Sequence, residues 1–171
     1  MHDTQAPIKK SAVISSCAKY RYELRREWDS KRPLVIGMLN PSIADDKIDD
    51  PTISRLINRA KDLGCGSLIV WNLGAGRSKN PVHWKSMQDP IGPENDKHIK
   101  RILKEALHKK GLCFVGWGNH GIFLNRHLAA QELAEASGVT LHCLGTTKSG
   151  QPRHPLFVPY SQKPIQWIPK K

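Results

Sequence analysis

Four short apolar runs punctuate the chain: Leu34–Leu39, Ser67–Trp71, Leu112–Gly116 and Thr140–Leu144. Each is nearly continuous rather than alternating, the pattern of strands covered on both faces. Between the runs the apolar period changes to that of a helix. Ile53, Leu56, Ile57 and Ala60 follow Asp50-Pro51-Thr52 and stop at Gly64. Ile99, Ile102, Leu103, Ala106 and Leu107 follow Pro93-Glu94 and stop at Gly111, and a third helical stretch runs from about Ile122 to Ser137. Strand and helix in alternation, with glycine stops, predict an α/β fold of three layers (αβα) around a central, mostly parallel sheet of four or more strands. Right-handed crossovers then put helices on both faces.

The flanks are less regular. Tyr20–Trp28 reads as a polar edge strand or a short amphipathic helix. Residues 1–20 are expected to be flexible in part. The stretch 150–171 carries Pro152, Pro155, Pro159, Pro164 and Pro169, which predicts an extended tail packed on the domain. No repeat, linker or composition break divides the 171 residues, so one domain is expected.

Charge changes the picture more than composition does. Apolar residues make up 39%, enough for a core, but 27 Lys and Arg face 15 Asp and Glu, a net charge of +12. Such a surface favours phosphate-bearing partners, nucleic acid first, although an acidic protein or solubility alone would also use it. Cys17, Cys65, Cys113 and Cys143 form no Cys-x-x-Cys pair and have no His at finger spacing, so a structural zinc site is not expected. Met1–Lys10 has no apolar stretch of the secretory kind, and the longest apolar runs, about seven residues, are far short of a membrane span of ~20. A soluble cytoplasmic protein, without membrane contact and monomeric, is the expectation.

In open sheets of this kind ligands bind beyond the carboxyl ends of the strands. The four exits read Asn40-Pro41-Ser42, Asn72-Leu73-Gly74, Gly116-Trp117-Gly118 and Gly145 to Pro155, the last carrying Lys148, Arg153 and His154. Singly, each has a structural use: Asn40-Pro41 as a turn, Asp50 or Thr52 as a helix cap, Trp117 in the core, His154 on the surface. Their placement at one sheet edge is what points to a shared cleft.

Met38-Leu-Asn-Pro-Ser42, Asp49-Asp-Pro-Thr52, Asn72-Leu73, Gly116-Trp-Gly118 and Gly150-Gln-Pro-Arg-His-Pro-Leu156 together resemble the domain-of-unknown-function 1643 (DUF1643) family over roughly Arg21 to Tyr160. That family's name carries no activity. The chain is also remotely similar to the uracil-DNA glycosylase superfamily, which has a Gly-x-(Asp/Asn)-Pro motif after its first core strand, a strand ending in Asn, and a late His-Pro. Gly37-Met-Leu-Asn-Pro41 matches the first with one residue too many; Leu68–Asn72 and His154-Pro155-Leu156 match the others.

That similarity implies a uracil-DNA-glycosylase-like fold and a DNA N-glycosylase-type hydrolase that flips a base and needs neither metal nor cofactor. Asn40 would orient the attacking water, and His154 would donate to the oxyanion developing on the base. Asn72 would read the base edge, with Ser42 and Trp117 as further base contacts. Arg77, Lys79, Lys148 and Arg153 would hold phosphates, and Leu156 would wedge behind the flipped nucleotide. Uracil-specific members carry a tyrosine soon after the motif proline; here Pro41 is followed by Ser42, Ile43 and Ala44. A larger, modified pyrimidine is therefore implied.

Two rival readings use other features. Asp45, Asp46, Asp49 and Asp50 would hold a divalent metal in a nuclease or phosphoesterase, unless they form a solvated loop and a helix cap. Alternatively, the positive charge with aromatics such as Tyr20, Tyr22, Trp28 and Trp84 would suit a non-catalytic nucleic-acid-binding module.

Overall fold

The computed structural model describes residues 7–170. The four apolar runs form strands, and they alternate their side chains between two separate cores. We label the strands β1 (Lys9–Ile14), β2 (Arg21–Glu27), β3 (Pro33–Met38), β4 (Ser67–Asn72), β5 (Leu112–Val115), β6 (His142–Cys143) and β7 (Ile165–Gln166). The helices are α1 (Pro51–Asp62), α2 (Pro81–Ser86), α3 (Asn95–His108) and α4 (Arg126–Ala136). On one face Val35, Ile69, Trp71, Cys113 and Val115 pack with Ile99, Ile102 and Leu103 of α3 and Ala130 and Ala134 of α4. On the other, Leu34, Ile36, Leu68, Val70 and Phe114 pack with Ile53, Leu56, Ile57 and Ala60 of α1. This is the period-2 alternation of a strand buried on both sides. Gly37 is required where it stands, because a Cβ there would run into the Trp71 ring.

The seven strands lie in the order β1-β2-β4-β3-β5-β6-β7. Strands β4, β3, β5 and β6 pair in parallel, whereas β1 with β2, β2 with β4 and β6 with β7 pair antiparallel. The sheet is therefore mixed, which corrects the expectation of a mostly parallel one. The cause lies outside the four apolar runs: a tight reversal at residues 15–20, with Ala18 at φ 61°, adds β1 and β2 as a hairpin on one flank. On the other flank the tail returns as β7. Tyr20–Trp28 supplies β2, a strand but not an edge, since β1 covers it.

Helix α1 begins where its sequence predicts: Asp50 Oδ1 accepts from the Ile53 N–H at 2.8 Å, with Pro51 in the first turn. The third helical stretch is broken. Leu124 and Asn125 take positive φ, so residues 119–125 form a 3₁₀ segment and α4 starts only at Arg126.

The proline-rich end is anchored by buried and half-buried side chains. Trp167 donates from its indole nitrogen to the Gly150 carbonyl, and Arg55 and Arg59 of α1 donate to the Val158 carbonyl at 2.7 and 2.9 Å. Cys65, Cys113 and Cys143 are buried, and burial pushes the Cys113 thiol up to about 11. No described helix is long and apolar enough to cross a membrane.

Candidate active site

Strand order reverses at β3, whose two neighbours are reached by connections on opposite faces of the sheet. A small cleft of about 90 Å³ opens there, beyond the carboxyl ends of β3 and β4. Asn40 and Ser42 enter it from the loop after β3, Asn72 from the end of β4, Asp50 and Thr52 from the start of α1, and His154 from the loop after β6. Four of the residues expected to act together thus share one cavity. A larger hollow of about 670 Å³ lies beside Tyr20, Arg77 and Met87. Volume alone would favour that hollow, but the amides and the imidazole gather in the smaller cleft.

Asn72 is 1% exposed, and neither its Oδ1 nor its Nδ2 has a hydrogen-bond partner among the described residues. A buried amide left unpaired on both sides costs roughly 1–3 kcal/mol for each orphaned group. An amide in this state has the hydrogen-bonding capacity for a partner that both donates and accepts.

Asn40 is differently placed. Its Nδ2 donates to the carbonyls of Pro41, Gly76 and Ser78, at 3.2, 3.3 and 2.9 Å. Those bonds tie the β3 exit to the β4 exit and leave Oδ1 without a partner among the described residues.

His154 precedes a short 3₁₀ turn at Pro155–Phe157, and its Nδ1 accepts from the Leu156 N–H at 3.2 Å. The ring proton therefore sits on Nε2. Burial lowers the imidazole below its usual pKa of 6.5, with Asp50 opposing, so the ring is neutral at pH 7 and a donor through Nε2.

Sequence reasoning missed Arg21. It lines the same cleft at 3% exposure. Its Nη1 donates to the Ala44 carbonyl at 2.7 Å, and its Nε has no partner among the described residues. Burial pushes this guanidinium down to about 10, with Asp50 pulling the other way. Because β2 runs antiparallel to β4, the amino end of β2 lies at the carboxyl end of β4. That placement depends on a pairing the local pattern does not contain. Phe157, 76% exposed with its ring centroid 6.0 Å from that of His154, was missed as well.

The remaining expectations fall elsewhere. Trp117 is a core residue: its indole N–H donates to Gln151 Oε1, and its ring meets Trp167 edge-on at 5.0 Å. Lys79 and Lys148 are exposed, and Arg153 and Leu156 are half-buried. None of these lines the cleft. Arg77 borders the larger hollow and donates to the Ala18 carbonyl. Among the described residues Arg77, Lys79, Lys148 and Arg153 have no carboxylate within 4.0 Å.

The acidic loop does not assemble a metal site. Asp45 accepts from the Lys47 and Ile48 backbone N–H groups, and Asp49 pairs with Arg26 and Lys10. Asp50 caps α1, and Asp46 is exposed. No group of three or more His, Cys, Asp or Glu comes together among the described residues. The acidic-loop ligand set of the nuclease reading is thereby corrected to a turn, an ion pair and a cap.

A family model described as "Protein of unknown function (DUF1643)" matches residues 21–156. No curated protein and no solved structure matches the chain.

Proposed function

The chain belongs to the DUF1643 family, whose description names no activity, and from its cleft we propose that it hydrolyses the N-glycosidic bond of a modified pyrimidine flipped out of DNA. The observation that carries this reading is the orphaned amide of Asn72 in one cavity with the Nε2–H of His154 and the Oδ1 side of Asn40. A uracil-DNA-glycosylase-like arrangement of the three, acting on DNA in the cytoplasm, is part of the proposal.

Each residue has a chemical task. Asn72 pairs with the donor–acceptor edge of the base. His154, neutral and already the correct tautomer, donates to the base oxygen as negative charge develops there, and the sugar takes on cationic character. Asn40 Oδ1 accepts from the attacking water and orients it; an amide is not basic enough to take its proton at pH 7. As the C1′–O bond forms and the C1′–N bond breaks, that proton therefore passes to solvent, and the departing base anion takes one up. At about 90 Å³ the cleft is well below the ~300–1,000 Å³ of a drug-sized pocket, which suits the edge of one base rather than a whole nucleoside. Phe157 is better exposed than Leu156 for insertion into a base stack.

The test is abasic-site formation on DNA carrying a panel of normal and modified pyrimidines, in chelator. Product from at least one modified base is expected. Salt-sensitive binding with no product on any substrate would leave a nucleic-acid-binding module instead.

A further inference from the structure

Arg21 is a buried cation in salt-bridge contact with no carboxylate among the described residues, although the Asp50 charge reaches it from the same cleft. Its guanidinium carries five N–H donors, yet the one hydrogen bond it makes among the described residues is from Nη1 to Ala44. No described carboxylate oxygen lies within 4.0 Å of it, whereas Arg26 pairs with Asp49 and Arg126 with Asp96. Arg59, the other buried arginine without a carboxylate partner among the described residues, likewise leaves its Nε unpaired but spends its Nη2 on the carbonyls of Val158 and Pro159. Taking a cation out of water without a partner is costly, and structures seldom retain one unless something completes it.

The surroundings of Arg21 favour an anion. The amino-terminal turn of the twelve-residue α1 borders the cleft through Thr52 and Ile53, presenting the positive end of its dipole. His154 adds a neutral N–H donor. The one carboxylate in the lining, Asp50, gives Oδ1 to the Ile53 N–H and keeps its charge, so it is the single group in the lining that opposes an anion. Beside these donors stands the Asn72 amide, unpaired on both its atoms.

We propose that the cleft selects a pyrimidine bearing a negatively charged substituent, with Arg21 holding the charge and Asn72 reading the ring edge. The inference rests on the proposed function only in taking the ring to be a pyrimidine; the charge preference follows from Arg21 itself. Arg21 then acts as a specificity-determining residue.

The experiment is titration calorimetry of the full chain at low salt with free 5-carboxyuracil, its neutral amide 5-carbamoyluracil, and uracil. The acid is expected to bind the wild-type chain at least tenfold more tightly than the amide. Arg21→Gln should erase that ratio, and Arg21→Lys should keep part of it. Equal or weaker binding of the acid, or no binding of it, overturns the proposal; so does a ratio that survives Arg21→Gln in a folded variant. The acid-to-amide comparison needs no variant, so a poorly folding substitution does not remove the test. Tight binding of the acid without abasic product from DNA containing 5-carboxyuracil would overturn the glycosylase reading and leave the anion site standing. Product from neutral pyrimidines with no preference for the acid would do the reverse.

Discussion

The backbone N–H of Leu156 donates to Nδ1 of His154 at 3.2 Å, and that contact decides which ring nitrogen carries the proton. Protonating Nδ1 would set two N–H groups against each other. Burial already holds the imidazole below its usual pKa of 6.5. Below about pH 6.5 the unfolded chain therefore binds more protons at this site than the folded one does. Its contribution to stability is complete above that pH and is lost as the pH falls. Base release should decline on the same acid limb. His120 and His127, also lowered by burial, act in the same direction. The pH dependence of melting in wild type and His154→Ala isolates the His154 share; identical profiles would contradict this account of the tautomer.

Asn72 should behave unlike an ordinary buried residue. Removing an amide that has no partner relieves its desolvation cost, and this offsets the packing lost on truncation. Asn72→Ala is therefore expected to melt within about 1 kcal/mol of wild type while losing affinity for a base. Chemical denaturation and ligand titration of the same variant check both halves.

Asn40 should behave oppositely. Its Nδ2 serves three carbonyls, so Asn40→Ala is expected to cost about 1–3 kcal/mol. Asn40→Asp should be worse, because it sets a carboxylate against the same carbonyl oxygens. Denaturation midpoints of the two variants give the order.

The neighbouring acids separate cleanly. Asp50→Ala removes a helix cap and should cost about 1 kcal/mol. Asp49→Ala strips the ion-pair partner from Arg26, which is fully buried, and should cost more, roughly 2–4 kcal/mol given that Asp49 itself is partly exposed. Equal losses in urea unfolding would contradict the assignment of cap and ion pair.

What was legible in the sequence was what depends on local pattern. Continuous apolar runs located β3, β4 and β5, and the period of Ile53, Leu56, Ile57 and Ala60 located the buried face of α1. The convergence of Asn40, Asn72 and His154 was legible because each follows a strand or its exit, and parallel strands bring their exits to one edge. Arg21 was not legible: Arg21, Glu23 and Arg26 are polar residues that read as solvent-facing until the 42–50 loop covers Arg21 and Arg26 and His98 and Arg101 of α3 cover Glu23. Trp117 misled for the converse reason. A Gly-Trp-Gly turn at a strand exit looks exposed, but the Trp71 and Trp167 rings enclose it.

Single-turnover release of base from modified-pyrimidine DNA, in chelator, by wild type and His154→Ala tests the central claim most directly. Removing a donor aimed at a developing oxyanion should slow release roughly 10²–10³-fold with little change in DNA binding. Equal rates in the two proteins would contradict the assignment of His154, and with it the reading of the cleft as a site of base release.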